Sequence, residues 1–235
     1  MALTGTLINI ACIIIGTCVG LFFTKIPERY KETIMNGIGL AVILIGIQMA
    51  LKTDNIIIVL LSLLTGAIIG ESLRLESKLN GFGKWVETRL SKPDSESTIA
   101  QGFITATLIF GVGAMSIVGS LDSGLRNDHG VLITKAFLDG FMSLVLTTTL
   151  GFGVVLSIIP IFIYQGSIAL LATQIERWIP EIFLNGFINE MTATGGLLIV
   201  AIGLNILNVT KIRIANLLPS IVTVGIVVYI YQIIM

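Results

Sequence analysis

Long apolar runs with very little charge constrain this chain more than any other feature of its sequence. The first run, TGTLINIACIIIGTCVGLFF at residues 4–23, contains no charged residue. A helix needs about 20 mainly apolar residues to cross the hydrocarbon core of a bilayer. Similar runs recur to the end of the chain, and only 12% of its residues are charged, against about 25% in soluble domains. The sequence therefore predicts an all-α, polytopic membrane protein.

We predict about eight transmembrane helices in a single transmembrane domain, 1–235. The spans are residues 4–23, 34–51, 55–71, 101–119, 131–149, 153–173, 191–209 and 213–234. The fifth and sixth belong to one apolar block that is too long for one span, and Gly151, Gly153 and Pro160 interrupt it. No basic residue precedes the first run, so we expect a retained span there and not a signal peptide.

The positions of Lys and Arg predict the orientation of these spans. One face of the membrane receives Lys25, Arg29, Lys31, Arg74, Lys78, Lys84, Arg89, Lys92, Lys211 and Arg213. The opposite face receives Lys52, Arg126 and Arg177. Loops rich in Lys and Arg stay in the cytoplasm. We therefore expect the first face to be cytoplasmic and both termini to lie outside the cytoplasm.

The longest predicted cytoplasmic connection is residues 72–98. Leu75, Leu79, Phe82 and Val86 recur there at helical spacing, with charged residues between them. This pattern predicts an amphipathic helix on the inner membrane surface. A regulatory or partner-binding role for the segment is the alternative.

Two stretches of the chain resemble each other. Each begins with IPE, at residues 26–28 and 179–181, and continues with two glycines seven residues apart and an amide two residues later. The matching positions are Gly39 with Gly196, Gly46 with Gly203, and Gln48 with Asn205. Because the second and seventh spans cross the membrane in opposite directions, the copies must be inverted. We predict an inverted repeat in a 3 + 2 + 3 arrangement: a first three-helix repeat at 4–71, a central helix pair at 101–150 and a second repeat at 153–234. Chance similarity between two glycine-rich helices is the alternative.

A second pair of stretches, TLIFGV at residues 107–112 and TLGFGV at 149–154, carries glycine clusters. The glycines concerned are Gly111, Gly113, Gly151 and Gly153. Such clusters interrupt the helices of transporters where backbone groups bind ions. Close helix packing through small residues is the alternative.

Lys135 and Asp139 are the two charged residues inside the fifth predicted span. At positions i and i+4 they project from the same helix face. A charge at the bilayer centre costs about 2.5–3.5 kcal/mol on insertion scales, so intramembrane ionisable residues are candidates for function. One interpretation is an ion- or proton-coupling carboxylate released by Lys135. The other is an ion pair that fixes helix packing.

Further polar residues are weaker transport candidates. In the seventh span Asn189 and Glu190 lie at the predicted outer mouth, where Glu190 would meet the positive end of a helix dipole. Three amides lie in other spans or farther along the same one, namely Gln48, Gln165 and Asn205. The outer loop contributes three more candidates, Asp122, Asp128 and His129. No motif predicts a metal site, a cofactor or an enzyme reaction.

Several motifs resemble an uncharacterised bacterial inner-membrane protein family, the one that includes YqgA and YdfK. They are GSLDSGLRNDHGVLITKAFLDG, LGFGVVLS, YQGS, NEMTATGGLLIVAIGLNIL and IANLLPS, and they are spread over most of the chain. The resemblance implies a multi-pass protein of the bacterial plasma membrane. It implies no reaction and no ligand residues.

These observations predict a transporter or permease for an ion or small polar solute, with its site between the fifth span and the repeat helices. The alternatives are an oligomeric ion channel and a non-transporting membrane scaffold or signalling protein. The expected partners are the lipid bilayer and a small ion or solute, and a homo-oligomer is compatible with eight short spans. The net charge of zero gives no reason to expect nucleic acid.

Overall fold

Helices make up all the regular structure of the described residues. The computed structural model describes residues 1–23, 28–81, 99–112, 114–178 and 181–234. The elements in chain order are α1 (Thr4–Phe22), α2 (Glu28–Ala50), α3 (Ile56–Leu73), α4 (75–81), α5 (Ile99–Gly111), α6 (Ala114–Leu125), α7 (Gly130–Leu150), the 3₁₀ helix η1 (Gly151–Ser157), α8 (Ile158–Leu170), α9 (Ala172–Trp178), α10 (Glu181–Ile206), α11 (Ile214–Leu217) and α12 (Ser220–Ile234). The predicted all-α class is confirmed.

Helix α3 buries small and polar residues and leaves large apolar ones uncovered. In α3 the buried face includes Ser62, Gly66 and Gly70, whereas Leu64 and Ile68 are more than half exposed. In water this arrangement would be unfavourable, because it leaves apolar area in contact with solvent. In lipid it is favourable, since small residues let helices approach closely and apolar side chains face the hydrocarbon. The distribution is that of a membrane protein.

Five helical stretches are long and apolar enough to cross a membrane, and a bent pair of helices adds a sixth. The five are Thr4–Phe22, Ile56–Leu73, Gly130–Leu170, Phe183–Ile206 and Ile214–Gln232. The bent pair is Ile99–Gly111 with Met115–Leu125, and the shorter apolar helix Asn36–Ala50 lies below the length limit. Several apolar spans are thus present, while the number eight remains a prediction.

The 41-residue stretch Gly130–Leu170 folds back on itself at η1. Leu132, near its start, lies against Gly5 of α1. Gln165, near its end, meets Asn9 only one turn farther along α1. A straight helix would separate these two residues by about 50 Å, at 1.5 Å per residue. The chain therefore reverses between them, and α7 and α8 form a hairpin.

The chain divides into two compact units, and each unit combines early and late segments of the sequence. The first contains Met1–Ile34 and Gly81–Trp178, and the second contains Met35–Asn80 and Ile179–Met235. Each unit therefore takes its helices from both predicted repeats.

Within the first unit, α1 and α7 run parallel and in close contact. Gly5 lies at Leu132, Gly16 lies at the Gly140 carbonyl, and Gly20 lies at Thr147, so the two helices advance together. A side chain at Gly16 would overlap the Gly140 backbone. Small residues at this seam bring the buried faces of α1 and α7 within hydrogen-bonding distance.

Both predicted glycine clusters lie where helices end. Helix α5 ends at Gly111, and the following helix bends by 59° relative to it. The Ser116 hydroxyl donates a 3.0 Å hydrogen bond to the Phe110 carbonyl beside this bend. Gly151 is the C-cap of helix α7, and its φ of 66° is unfavourable for a residue with a side chain. Gly113 lies outside the described residues.

Within the second unit, α3 packs antiparallel to α11 and α12. Gly66 lies against Ser220, and Gly70 against the Asn216 carbonyl. The Thr223 hydroxyl donates to the carbonyl of Ser62 at 3.0 Å. Lower-numbered residues of α3 thus meet higher-numbered residues of α12.

Helices α2 and α10, which carry the two similar stretches, also pack antiparallel. Gly46 faces Gly196 and Val200, while Gly39 faces Leu207 and the Gly203 region. A Cβ atom added at Gly46 would lie 2.7 Å from the Gly196 carbonyl oxygen, and one at Gly196 would lie 2.7 Å from the Gly46 oxygen. The later glycine of α2, Gly46, therefore contacts the earlier glycine of α10, Gly196, and the earlier glycine of α2, Gly39, contacts the later one, Gly203.

Three predicted boundaries differ from the structure. Helix α10 begins at Glu181, ten residues before the predicted seventh span, so Asn189 and Glu190 lie within the helix and not at its mouth. Helix α6 continues to Leu125, which places Asp122 on a helix and not in a loop. Of the predicted amphipathic segment, residues 75–81 are helical after an αL residue at Arg74, and 82–98 lie outside the described residues.

Candidate functional site

Lys135 and Asp139 form a buried ion pair on α7. The Lys135 Nζ donates to both carboxylate oxygens of Asp139, at 2.8 Å and 2.7 Å. The two residues are only 7% and 5% exposed. The two side chains that helical spacing predicted to share a face are therefore in direct contact. Whether the pair is more than structural depends on the groups around it.

Two amides from other helices meet beside this ion pair. Asn9 of α1 is fully buried, and its Nδ2 donates to the Oε1 of Gln165 on α8 at 3.4 Å. The Asn9 side chain also interacts with the Asp139 carboxylate. Helices α1, α7 and α8 therefore bring one carboxylate, one ammonium and two carboxamides together. We call Asn9, Lys135, Asp139 and Gln165 the central polar cluster.

Several buried polar atoms at or next to this cluster have no hydrogen-bond partner within the part of the chain that the structure describes. They are the Oδ1 of Asn9, the Nε2 of Gln165 and the Oγ1 of Thr6, which lies one turn before Asn9 on α1. All three residues are 0% exposed. Leaving a buried polar group without a partner costs about 1–3 kcal/mol. The cluster therefore presents a donor and two oxygen atoms that no group of the described residues satisfies.

Glu190 forms a second buried polar site, in the second unit. Its carboxylate accepts hydrogen bonds from the Thr53 hydroxyl at 2.7 Å and from the backbone N–H groups of Asp54 and Asn55 at 2.8 Å and 2.9 Å. Asn55 is also the N-cap of α3. The helix terminus that stabilises Glu190 is therefore that of α3, and not the start of its own helix as predicted.

An open cavity of about 500 Å³ lies next to Glu190. Asn189, on its wall, donates a 2.9 Å hydrogen bond to Asp54. Further polar groups of the wall come from Asn185, Tyr231 and Gln232. The Glu190 carboxylate already accepts three hydrogen bonds from the α2–α3 connection and so holds that connection in place. It has little hydrogen-bonding capacity left for a ligand.

The remaining predicted residues lie apart from the central polar cluster. Asn205 closes the loop after α10, because its amide bonds both backbone groups of Ile212 and the Thr210 hydroxyl at 2.7–2.9 Å. Gln48 is exposed on α2. Both therefore contribute no atom to the cluster.

The three candidates near the start of α7 make local contacts. Asp122 pairs with Arg126 at 3.3 Å, and Asp128 accepts from the backbone N–H of Gly130 at 2.9 Å. His129 contacts the Ser123 hydroxyl through Nδ1 at 2.7 Å. Among the residues that the structure describes, no group of three His, Cys, Asp or Glu side chains is placed to hold a metal ion.

Sequence reasoning did not single out Thr6, Asn9 or Thr53 as site residues. Asn9 was visible as a polar residue in the first span, and its spacing of three from Thr6 places both on one face of α1. The glycines Gly5 and Gly16, on the same buried face, were the signal that this face packs closely. Thr53 had no such signal, because it lies in a connection.

Comparison with known proteins gives a family and no activity. The family model described as "Protein of unknown function (DUF554)" matches residues 4–229. The "Uncharacterized membrane protein YdfK" of Bacillus subtilis is 34% identical over 231 residues, covering 96% of each chain. The "Uncharacterized protein YqgA" of Escherichia coli is 30% identical over 221 residues, covering 92% of each. No solved structure matches.

Proposed function

Because the chain belongs to the DUF554 family of proteins of unknown function, we propose from its own geometry that it is a transporter for an ion or a small polar solute. The central polar cluster is the proposed binding site. Membrane location itself is supported by the apolar helices and by the membrane relative from Bacillus subtilis. The transport role has no support from any named relative and depends on the site.

The observation that carries the proposal is the combination of a buried ion pair with unpartnered polar atoms beside it. An ion pair alone is compatible with a purely structural role, because its two charges satisfy each other. The Oδ1 of Asn9 and the Nε2 of Gln165, unpartnered among the described residues, add a cost that a structural pair does not require. A ligand that binds at either group offsets part of this cost, which is the reason to infer a site.

The helix arrangement supports the predicted eight spans. The hairpin at η1 divides Gly130–Leu170 into two spans, the bent pair adds one, and Asn36–Ala50 adds another. In that topology α1 and α7 both run inward, whereas α2 and α10 run in opposite directions. The parallel contact of the first pair and the antiparallel contact of the second agree with it.

The glycine contacts of α2 and α10 also support an inverted repeat. If a two-fold axis exchanges Gly39 with Gly196 and Gly46 with Gly203, the contact of Gly46 with Gly196 becomes the contact of Gly203 with Gly39. Both contacts occur. Inverted repeats of this kind place transporter sites near the bilayer midplane. We infer that α1 and α8, which supply Asn9 and Gln165, are equivalent helices of the two repeats.

The test uses proteoliposomes, because no substrate is known. Vesicles with purified protein are exposed to a defined mixture of alkali salts, amino acids and sugars, and their contents are measured by mass spectrometry and atomic emission. We expect at least one compound to accumulate above protein-free vesicles, and Asp139→Asn to abolish this accumulation. Thr147→Val, which changes another buried polar side chain of α7, is the matched control and should keep it.

Equal contents in vesicles with and without protein, for every compound and with gradients of either direction, would contradict the transport proposal. Accumulation that persists in Asp139→Asn would preserve transport but remove the site from the central polar cluster.

A further inference from the structure

We propose that Asp139, together with Asn9 and Thr6, binds a small monovalent cation, and that the Lys135 ammonium occupies this position when the cation is absent. A monovalent cation is thus the ligand class of the central polar cluster, and its role there rests on the proposed transport function. Four observations carry the proposal: the donor atoms, the unpartnered oxygens, the charge balance and the position of Lys135.

The donor atoms are oxygens, which hard cations prefer. Asp139 supplies two carboxylate oxygens, and Asn9, whose Nδ2 faces that carboxylate, carries the unpartnered Oδ1 on the same amide group. Gln165 accepts from the Nδ2 of Asn9 and thereby leaves the Oδ1 available. The Thr6 hydroxyl, also unpartnered among the described residues, lies one turn away on the same buried face of α1.

The charge balance favours a monovalent ion. Helix α1, which packs on α7 at this point, and helix α8, which contacts α1, carry no charged residue, and Lys135 and Asp139 are the two charged residues of α7. Helix α6, which packs on both α7 and α8, carries Asp122, but that carboxylate pairs with Arg126 at 3.3 Å. A single carboxylate therefore faces the ligand. One positive charge neutralises it, whereas a divalent ion leaves an excess charge in a site of low dielectric constant, where uncompensated charge is costly.

Lys135 already shows where such a cation binds. Its Nζ contacts both carboxylate oxygens at 2.7–2.8 Å, as a bound ammonium ion would. The residue lies in the second turn of α7, four residues before Asp139, and its side chain has four flexible methylene groups. Entry of a cation requires the ammonium to leave the carboxylate. The Lys135 ammonium thus competes with the cation for the Asp139 carboxylate. Cation binding is therefore coupled to movement of the Lys135 side chain away from Asp139.

The first experiment removes the competitor. Lys135→Ala leaves Asp139 buried without its counter-ion, so its stability should depend on added cation. We expect the melting temperature of the purified variant to rise by about 3–6 °C when the cation reaches tenfold its dissociation constant, at ionic strength held constant with choline chloride. The cations compared are Li⁺, Na⁺, K⁺ and methylammonium, which separates an alkali ion from an organic ammonium ligand.

The second experiment keeps the natural side chains. Binding of radioactive sodium to the purified wild-type protein in detergent should be saturable and displaced by whichever of the four cations binds best. Asn9→Leu should weaken it at least tenfold, and Lys135→Gln should strengthen it. Asp139→Asn should abolish it, while Thr147→Val should leave it unchanged.

Two results together would show that the inference is wrong. The melting temperatures of Lys135→Ala and Lys135→Gln would be the same in choline as in each of the four cations, and the wild-type protein would bind no sodium that the other cations displace. Because these measurements need no transport, the two proposals fail separately. Cation binding without flux contradicts the transporter, and flux without cation binding contradicts only the present inference.

Discussion

At the scale of single residues, the chain places charge and amide groups where a membrane protein rarely tolerates them. Lys135 and Asp139 were predictable as partners because residues four apart on a helix share a face. Their surroundings were not predictable. Asn9 and Gln165 are separated by 156 positions in the chain, and only the packing of α1 against the α7–α8 hairpin brings their amides together.

The ion pair allows a prediction that separates a structural from a functional role. Lys135→Met alone or Asp139→Leu alone should reduce the free energy of unfolding by about 3–5 kcal/mol, since each leaves an unpaired buried charge. The double variant should recover most of this loss, because two apolar side chains need no counter-ion. Thermal unfolding of the four proteins in detergent gives the double-mutant cycle.

Transport by the same double variant distinguishes the two roles. Our proposal expects a stable protein without flux. A double variant that is both stable and fully active would show that the pair serves packing alone.

Glu190 gives a second prediction at this scale. Glu190→Ala removes three charge-assisted hydrogen bonds from the start of α3, each of which contributes about 1.5–3 kcal/mol. We expect faster hydrogen exchange at the amides of Asp54 and Asn55, measured by mass spectrometry of peptides from the α2–α3 connection. Unchanged exchange there would show that Glu190 does not hold this connection. Gln48→Ala, on an exposed face of α2, should have no such effect.

At the scale of helices, glycine positions decide which surfaces meet. The sequence showed the glycine clusters and the matching pairs, but periodicity alone could not distinguish a helix break from a helix contact. The structure assigns Gly151 to a break, by its φ of 66°, and Gly46 to a contact with Val200 and Gly196. Boundaries were less predictable, because α10 extends well beyond its apolar core toward polar residues such as Asn185.

Two glycines of α2 provide a matched test of this difference. A Cβ atom at Gly46 would lie 2.6 Å from the backbone nitrogen of Val200, whereas one at Gly37 would meet no atom of the described residues within 4 Å beyond its own turn of helix. Gly46→Ala should therefore lower the melting temperature by several degrees. Gly37→Ala should leave it unchanged or raise it, since alanine favours helix by about 1 kcal/mol. Equal effects of the two substitutions would contradict close packing of α2 on α10.

At the scale of the whole molecule, the sequence predicted the all-helical class of the fold, whereas the packing of the helices into compact units had no signal in it. Charge in the loops predicted opposite directions for the second and seventh spans, and the antiparallel contact of Gly39 and Gly46 with α10 agrees. Which helices pack together in one compact unit was not predictable, because apolar helix faces that contact lipid and those that contact other helices have similar sequences. The compact units consequently cut across the two predicted repeats.

Topology is testable in intact cells with a protein from which Cys12 and Cys18 have been removed. We expect Asn127→Cys and Lys52→Cys to react with a membrane-impermeant maleimide from outside. Lys78→Cys and Asn208→Cys should react only after permeabilisation. Labelling of all four from the same side would contradict the predicted odd number of spans between neighbouring sites, and the reverse pattern of labelling would contradict the proposed orientation.

Because α2 packs against α10, which is synthesised much later, α2 must wait during synthesis for its partner helix. Gly46 and its partner Gly196 are 150 residues apart, which a ribosome needs roughly 8–30 s to add at 5–20 residues per second. During that interval the small-residue face of α2 has no native partner and remains open to other helices of the same or a neighbouring chain. By contrast, the two halves of the α7–α8 hairpin are made within a few seconds of each other. Misassembly during synthesis should therefore begin at α2, and insertion factors that shield glycine-rich helices should matter most for the first third of this chain.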